Sequence, residues 1–230
     1  MIKKLAPLFI LFGLSTINAQ QPGEDELGAW YMYFGMNKIS ERFSLHTEAQ
    51  FRYYEPTSNF NQMLLRTGLN YHINPNAIAT AGYAYIQTDT SFADIMDQVD
   101  SREHRIFEQF ILRDKVWEFL FEHRYRLEQR FFDFGGVTDT QHRARYRIQM
   151  TLPLTNTFFL NFYDELFINL QDNLFDQNRL YGAIGVNITE NSNVQLGYLR
   201  NQFSNAVYDR LQFAVFYNPD LRGLFKKKKP

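Results

Sequence analysis

Residues Val116–Phe131 read VWEFLFEHRYRLEQRF, and taken alternately they separate into two faces. The odd positions are Trp117, Phe119, Phe121, His123, Tyr125, Leu127, Gln129 and Phe131, a largely aromatic and apolar set. The even positions are Val116, Glu118, Leu120, Glu122, Arg124, Arg126, Glu128 and Arg130, a largely ionic set. Successive side chains of a strand point to opposite sides, so a period of two predicts one long β-strand. A helix would scatter the same charges around its circumference.

The pattern recurs on both sides of this stretch. In Arg143–Leu152, the residues Arg143, Arg145, Arg147 and Gln149 oppose Ala144, Tyr146, Ile148, Met150 and Leu152. Arg42–Tyr54, Gln62–Ile73 and Phe158–Asn169 alternate in the same way, the last placing Glu165 on its polar face. Further on, Gln177, Arg179 and Asn187 oppose Leu180, Ile184 and Val186. Strands are also predicted at Gly28–Met36, Ala77–Thr88, Arg102–Arg113, Asn193–Gln202 and Val207–Tyr217; in Arg102–Arg113 the pattern does not choose the polar face. Short turn signals stand at Asn74-Pro75-Asn76, Arg113-Asp114-Lys115, Pro153–Asn156 and Thr189–Ser192. Longer polar connections, Asp89–Ser101, Phe132–Thr140, Gln171–Asp176 and Phe203–Ala206, alternate with them. Short turns at one end and longer loops at the other are the arrangement of outer-membrane barrels.

Periodicity alone does not say which face meets water. A soluble barrel hides its apolar face, whereas a membrane barrel exposes it to lipid. Strand length favours the membrane: soluble strands average about 5–6 residues, and a tilted membrane strand needs about 9–11. Tyr, Phe and Trp on the apolar faces suit interfacial girdles. The expected fold is therefore all-β, a transmembrane antiparallel up-and-down β-barrel of about 10–12 strands. The phasing of the short turns closes ten, leaving Gly28–Met36 as an extra segment unless a weaker strand makes twelve.

Composition agrees. Aromatic residues make up 17% of the 230-residue chain, an unusual share. A net charge of −1 argues against binding nucleic acid, and the lack of cysteine excludes disulfides, thiolate metal sites and cysteine nucleophiles. Lys3 and Lys4, the apolar run Leu5–Leu14 and a small residue at Ala19 form a signal-peptide pattern. The expected organisation is a cleaved signal peptide over 1–19, an N-terminal segment over 20–27, a barrel over 28–219 and a basic tail over 220–230 carrying Lys226–Lys229. The tail reads as a solubilising end, or as a contact for anionic polymer. No later apolar run is long enough for a membrane helix.

Several blocks resemble the DUF2490 family of Bacteroidota outer-membrane proteins. They are Glu103–Gln109, His123–Phe131, Arg143–Arg147, Asp164-Glu165, Phe175–Arg179 and Leu196–Tyr198, together with Trp30 and Gly82-Tyr83. The resemblance runs in order along nearly the whole mature chain. It implies a barrel in the bacterial outer membrane, in contact with its lipid, and brings no catalytic or ligand residues with it. Many outer-membrane barrels end on an aromatic residue, whereas this chain continues past Phe216-Tyr217.

The candidate site is the ionic face. Glu118, Glu122, Arg124, Arg126, Glu128, Arg130, Arg143, Arg145, Arg147, Glu165 and Arg179 are expected to share the lumen, with Glu48, Glu103 or Glu108 available to neutralise a positive excess. One reading is structural, an Arg–Glu network filling a narrow barrel, because unpaired buried charges are costly. Another is a pore or pocket that favours small anionic solutes. A lipid hydrolase would need a serine beside a histidine, and among His46, His72, His104, His123 and His142 no such pattern is legible. Asp94, Asp97 and Asp100 could gather around Ca²⁺, but read more simply as a solvated acidic loop. No cofactor motif, zinc signature or phosphate loop is present. The expected role is a non-enzymatic outer-membrane barrel with an Arg/Glu-rich lumen, ahead of a small anion-favouring porin and of a barrel lipid hydrolase.

Overall fold

The computed structural model describes residues 23–89, 91–92, 100–171 and 173–225. The expected signal peptide, Asp94, Asp97 and Lys226–Lys229 lie outside the described residues. Eleven strands follow one another: β1 Gly28–Lys38, β2 Phe43–Tyr53, β3 Phe60–Asn74, β4 Ala77–Thr88, β5 Ser101–Val116, β6 Phe119–Phe134, β7 Val137–Pro153, β8 Phe158–Asn169, β9 Phe175–Thr189, β10 Ser192–Phe203 and β11 Val207–Tyr217. A short helix, α1 Arg222–Phe225, follows.

Each strand pairs antiparallel with its neighbours in sequence, and β1 closes the barrel against β11. That closing pair is parallel, from Gly28↔Arg210 to Gly35↔Tyr217. The expected range of 10–12 strands holds, but the purely antiparallel expectation does not. With an odd number of alternating strands the first and last run the same way, so closure between them must be parallel. The extra segment is a wall strand.

Two turns differ from expectation. The chain does not reverse at Arg113-Asp114-Lys115, where β5 continues, but at Trp117-Glu118. Trp117 has a φ of 54° and its side chain is freely exposed, so it belongs to the turn rather than to a strand face. Glu118 is likewise in the turn, 79% exposed and 3.8 Å from Lys115, outside the lumen to which the sequence pattern assigned it. Nor is Phe132–Thr140 a long loop. β6 and β7 run on to a two-residue turn, Gly135-Gly136, with φ of 65° and 99°. Positive φ at both central residues suits the tight hairpin turns that match strand twist, and glycine adopts it without a Cβ clash.

Side-chain direction fixes the polarity of the wall. Leu45, Leu65, Ile106, Tyr125, Leu127 and Ile184 are exposed on the outside. Glu48, Arg66, Arg105, Arg126, Glu128 and Glu165 are buried inside. In β5 the odd residues Glu103, Arg105 and Phe107 face inward, while Glu108 faces out to Gln129, so only Glu48 and Glu103 of the three neutralising candidates reach the lumen. A wall apolar outside and charged inside is that of a transmembrane barrel, in which every wall peptide group can pair without water. No helix among the described residues is long and apolar enough to cross a membrane.

Candidate functional site

The lumen has two unlike walls. On the β5–β8 side, register creates a problem. Arg124 lies directly across from Arg147, and Arg126 from Arg145. Like charges facing each other across a sheet repel. Glu128, two residues along β6 from Arg126, and Glu165, across from Arg147 on β8, resolve this, because long arginine side chains can converge on them. Glu128, with no exposed side-chain surface, accepts from Arg145 Nη1 at 2.7 Å and from Arg143 Nη2 and Nε at 2.7 and 2.9 Å. Arg105 and Arg126 approach it at 3.4 and 3.6 Å. Glu165 accepts from Arg124 at 2.6 Å and from Arg145 at 2.7 and 3.0 Å. Glu103 joins Arg105 to Arg130, and Glu122 joins Arg147 to Arg113. Charge-assisted bonds of this length are among the stronger protein hydrogen bonds.

On the β9–β11 and β1 side an apolar cluster stands beside the buried amides Gln177, Asn201 and Gln212. Trp30, Met32, Tyr181, Ala183, Leu199 and Ala214 form one buried cluster. Tyr163 stacks on Tyr181 at 4.6 Å. The Tyr181 ring lies over Gly197, where any Cβ would come within 2.4 Å of it. Arg179 projects from this wall. Its guanidinium lies 5.0 Å from the Trp30 ring and 4.6 Å from the Phe167 ring, and its Nε donates to Asn201 at 3.4 Å. Arg52 of β2 lies over the same Trp30 ring at 3.8 Å. It donates to Gln50 at 2.6 Å and to Gln62 at 2.6 Å.

Between the walls runs a cavity of about 790 Å³. Its lining extends from Asn187, Asn193 and Asn218 at the short-turn end to Tyr54, Phe203 and Tyr208 at the loop end. Ten of the eleven residues assigned from the sequence face the lumen; Glu118 does not. Glu48 and Glu103, named as neutralising candidates, join the ten; those missed are Arg52, Arg66, Arg105, Arg113 and Arg210, and Trp30. Arg52 and Arg66 already stood on alternating faces, so that signal was present, whereas Arg105 and Arg113 lay in the strand of undecided face. Among the described residues, twelve arginines and six carboxylates line or adjoin the cavity, the acids being Glu48, Glu103, Glu122, Glu128, Glu165 and Asp176.

Other candidate chemistry resolves as follows. Ser44 Oγ and His72 Nε2 are 2.8 Å apart, so a serine does stand beside a histidine, which linear spacing did not reveal. Ser44 is 1% exposed and already accepts from Asn70 Nδ2, which leaves no room for a substrate carbonyl. His46 meets Glu48 in the lumen, while His104 and His123 bond Tyr83 and Tyr146 on the outer face. Asp100 accepts from Gln87, and no three His, Cys, Asp or Glu side chains gather as a metal site among the described residues.

Fold and lumen together define a transmembrane β-barrel with a positively charged interior. The chain belongs to the DUF2490 family, described as "Protein of unknown function (DUF2490)", whose sequence profile matches residues 27–212, from the entry to β1 into β11. No curated protein matches the sequence. Among solved structures the chain is similar to the siderophore receptor PirA from Pseudomonas aeruginosa, with 9% identity and a TM-score of 0.33. The match covers 76% of this chain and 35% of that receptor, so the chain spans about a third of its length.

Proposed function

We propose that the protein is an outer-membrane barrel, exported by the 1–19 signal peptide, whose lumen admits small anions. The observation that carries this reading is the excess of guanidinium over carboxylate around a cavity of about 790 Å³. A network built only to brace the wall would balance its charges, since each uncompensated buried charge is expensive. Here the β5–β8 wall is braced by carboxylates, and the surplus charge faces open space. Rings of arginine favour anions in pores. The short-turn end faces the periplasm, as in other outer-membrane barrels, and the loop end faces outward. The buried Ser44–His72 pair supports no hydrolytic reading.

The test is electrical. Purified full-length protein in a planar bilayer under a potassium chloride gradient gives current whose reversal potential has the sign of chloride selectivity. Cation selectivity, or a folded barrel that never conducts, overturns the proposal.

A further inference from the structure

Resting on that reading, we infer that the loop-end half of the lumen contains a discrete oxyanion site in which Arg52 and Arg179 bind a carboxylate or phosphate group of a small solute beside Trp30. Arg52 and Arg179 differ in their partners from Arg66 and the arginines of the β5–β8 wall, and Arg210, the other lumen arginine without an ion pair among the described residues, is taken up by the backbone carbonyls of Glu26 and Asp209. Arg145 and Arg66 are held by carboxylates, at 2.7 and 2.6 Å. Arg52 and Arg179 have only amide oxygens and rings, and neither forms an ion pair among the described residues.

The geometry brings the two together. Trp30 is the third residue of β1, counted from the loop end. Arg52 stands across from it in register on β2. Arg179, from the opposite side of the seam, reaches the same indole. The Arg52 Nε, Nη1 and Nη2 groups each donate to a glutamine, and Arg179 has one side-chain acceptor, Asn201, for its Nε. The Arg179 terminal nitrogens therefore remain to present a planar fork to the cavity. Such a fork matches two oxygens of a carboxylate or phosphate. Buried charge of one sign beside a cavity calls for a counter-ion; Glu165 stands across from Arg179 in register on β8 but is bonded to Arg124 and Arg145, and no carboxylate is within ion-pair distance of Arg52 or Arg179 among the described residues. Trp30 and Phe167 supply flat apolar surfaces that hold the guanidinium planes in place.

The sequence provides a reporter. It contains two tryptophans, Trp30 and Trp117, and Trp117 lies at the exposed β5–β6 turn. In the Trp117→Phe protein all indole fluorescence comes from Trp30. Folded in detergent micelles and titrated at constant ionic strength with sodium phosphate or sodium acetate against chloride, it gives a saturable change in Trp30 emission. The tighter of the two binders identifies whether the solute group is phosphate or carboxylate. Adding Arg179→Gln weakens the half-saturation concentration at least tenfold, and Arg179→Lys, which keeps charge but loses the fork, falls between. Heat-modifiable migration in gels checks that each variant is folded. If Arg179→Gln does not fold, the folded Arg179→Lys protein must still bind more weakly than the parent. A change that never saturates, that chloride reproduces, or that Arg179→Gln or Arg179→Lys leaves intact overturns the site. The bilayer measurement separates the two readings: anion-selective current without a saturable Trp30 response defeats the site alone, and cation-selective current defeats the lumen reading.

Discussion

The two walls of the lumen meet the same requirement by different means. From β5 to β8, guanidinium and carboxylate interlock until Glu128 has no exposed side-chain surface and arginines from three strands converge on it. From β9 round to β1, rings pack on small residues, as Tyr181 does on Gly197, and the two cations flanking Trp30 are attended by amides and aromatic faces. In the first wall each arginine is tied to what its carboxylate partners need. In the second, an arginine can leave without stranding an acid. On the proposed reading, rigidity and anion attraction are therefore separable in this barrel, one on each side of the cavity.

The strongest way to break that comparison is Glu128→Gln. The change keeps the shape and removes the charge on which Arg143 and Arg145 converge at 2.7 Å, with Arg105 nearby, leaving each of them a single carboxylate, Asp176, Glu165 and Glu103 in turn. Removing one partner of a buried ion pair costs about 3–5 kcal/mol. Because each arginine keeps one carboxylate, reversible unfolding in lipid vesicles should show a loss at the lower end of that range, and a loss under about 1 kcal/mol would mean that the network does not brace the wall.

Leu127→Arg tests the neighbouring residue on the opposite face. Leu127 is 51% exposed on the outside and lies midway along β6, so its side chain meets lipid. An arginine there should cost about 2–4 kcal/mol in a bilayer. The same change at Glu118, in the exposed turn, should be almost silent. Equal tolerance at both positions would place the apolar face away from lipid.

Between the walls, Glu48 and Arg66 form a two-point contact at 2.6 and 2.7 Å, directly across from each other on β2 and β3. His46 and Gln50 also bond Glu48, so its carboxylate is not fully stranded when Arg66 is lost. A double-mutant cycle with Glu48→Gln and Arg66→Gln should give a coupling of about 0.5–3 kcal/mol, smaller than the loss at Glu128. A coupling near zero would show that this pair belongs to neither bracing scheme.

Alternation along the strands made the barrel and its ionic face legible, because a period of two survives whatever the register. Register itself was not legible. Linear spacing pairs no residue across strands, so the direct facing of Arg126 and Arg145, the convergence on Glu128 and the meeting of Ser44 with His72 all had to come from the structure. Turn chemistry was misread in two places. Charged Arg113-Asp114-Lys115 looked like a turn but alternates as strand, and Gly135-Gly136 carried a hairpin signal inside what read as a long loop. Glu118 followed from the first error: once the turn moves to Trp117-Glu118, its even position no longer points inward. The parallel β1–β11 seam follows from parity once Gly28–Met36 is admitted to the wall.

The smallest effect should come from Arg179→Gln, and it sharpens the contrast with Arg145→Gln. Loss of Arg145 takes a partner from both Glu128 and Glu165, which keep Arg143 and Arg124, so it should approach the cost seen at Glu128. Loss of Arg179 forfeits its contacts with the Trp30 and Phe167 rings, worth about 0.5–1 kcal/mol apiece where water has access. It also removes one like charge from a lumen with surplus arginine, and that relief acts in the opposite direction. The expected net change in unfolding free energy is about 1 kcal/mol or less, and salt decides its origin. Raising ionic strength screens repulsion among the surplus arginines, so it should stabilise the wild type more than the Arg179→Gln variant. If the two proteins respond to salt alike, Arg179 is not among the surplus charges. If Arg179→Gln is as damaging as Arg145→Gln, the second wall is braced by charge after all.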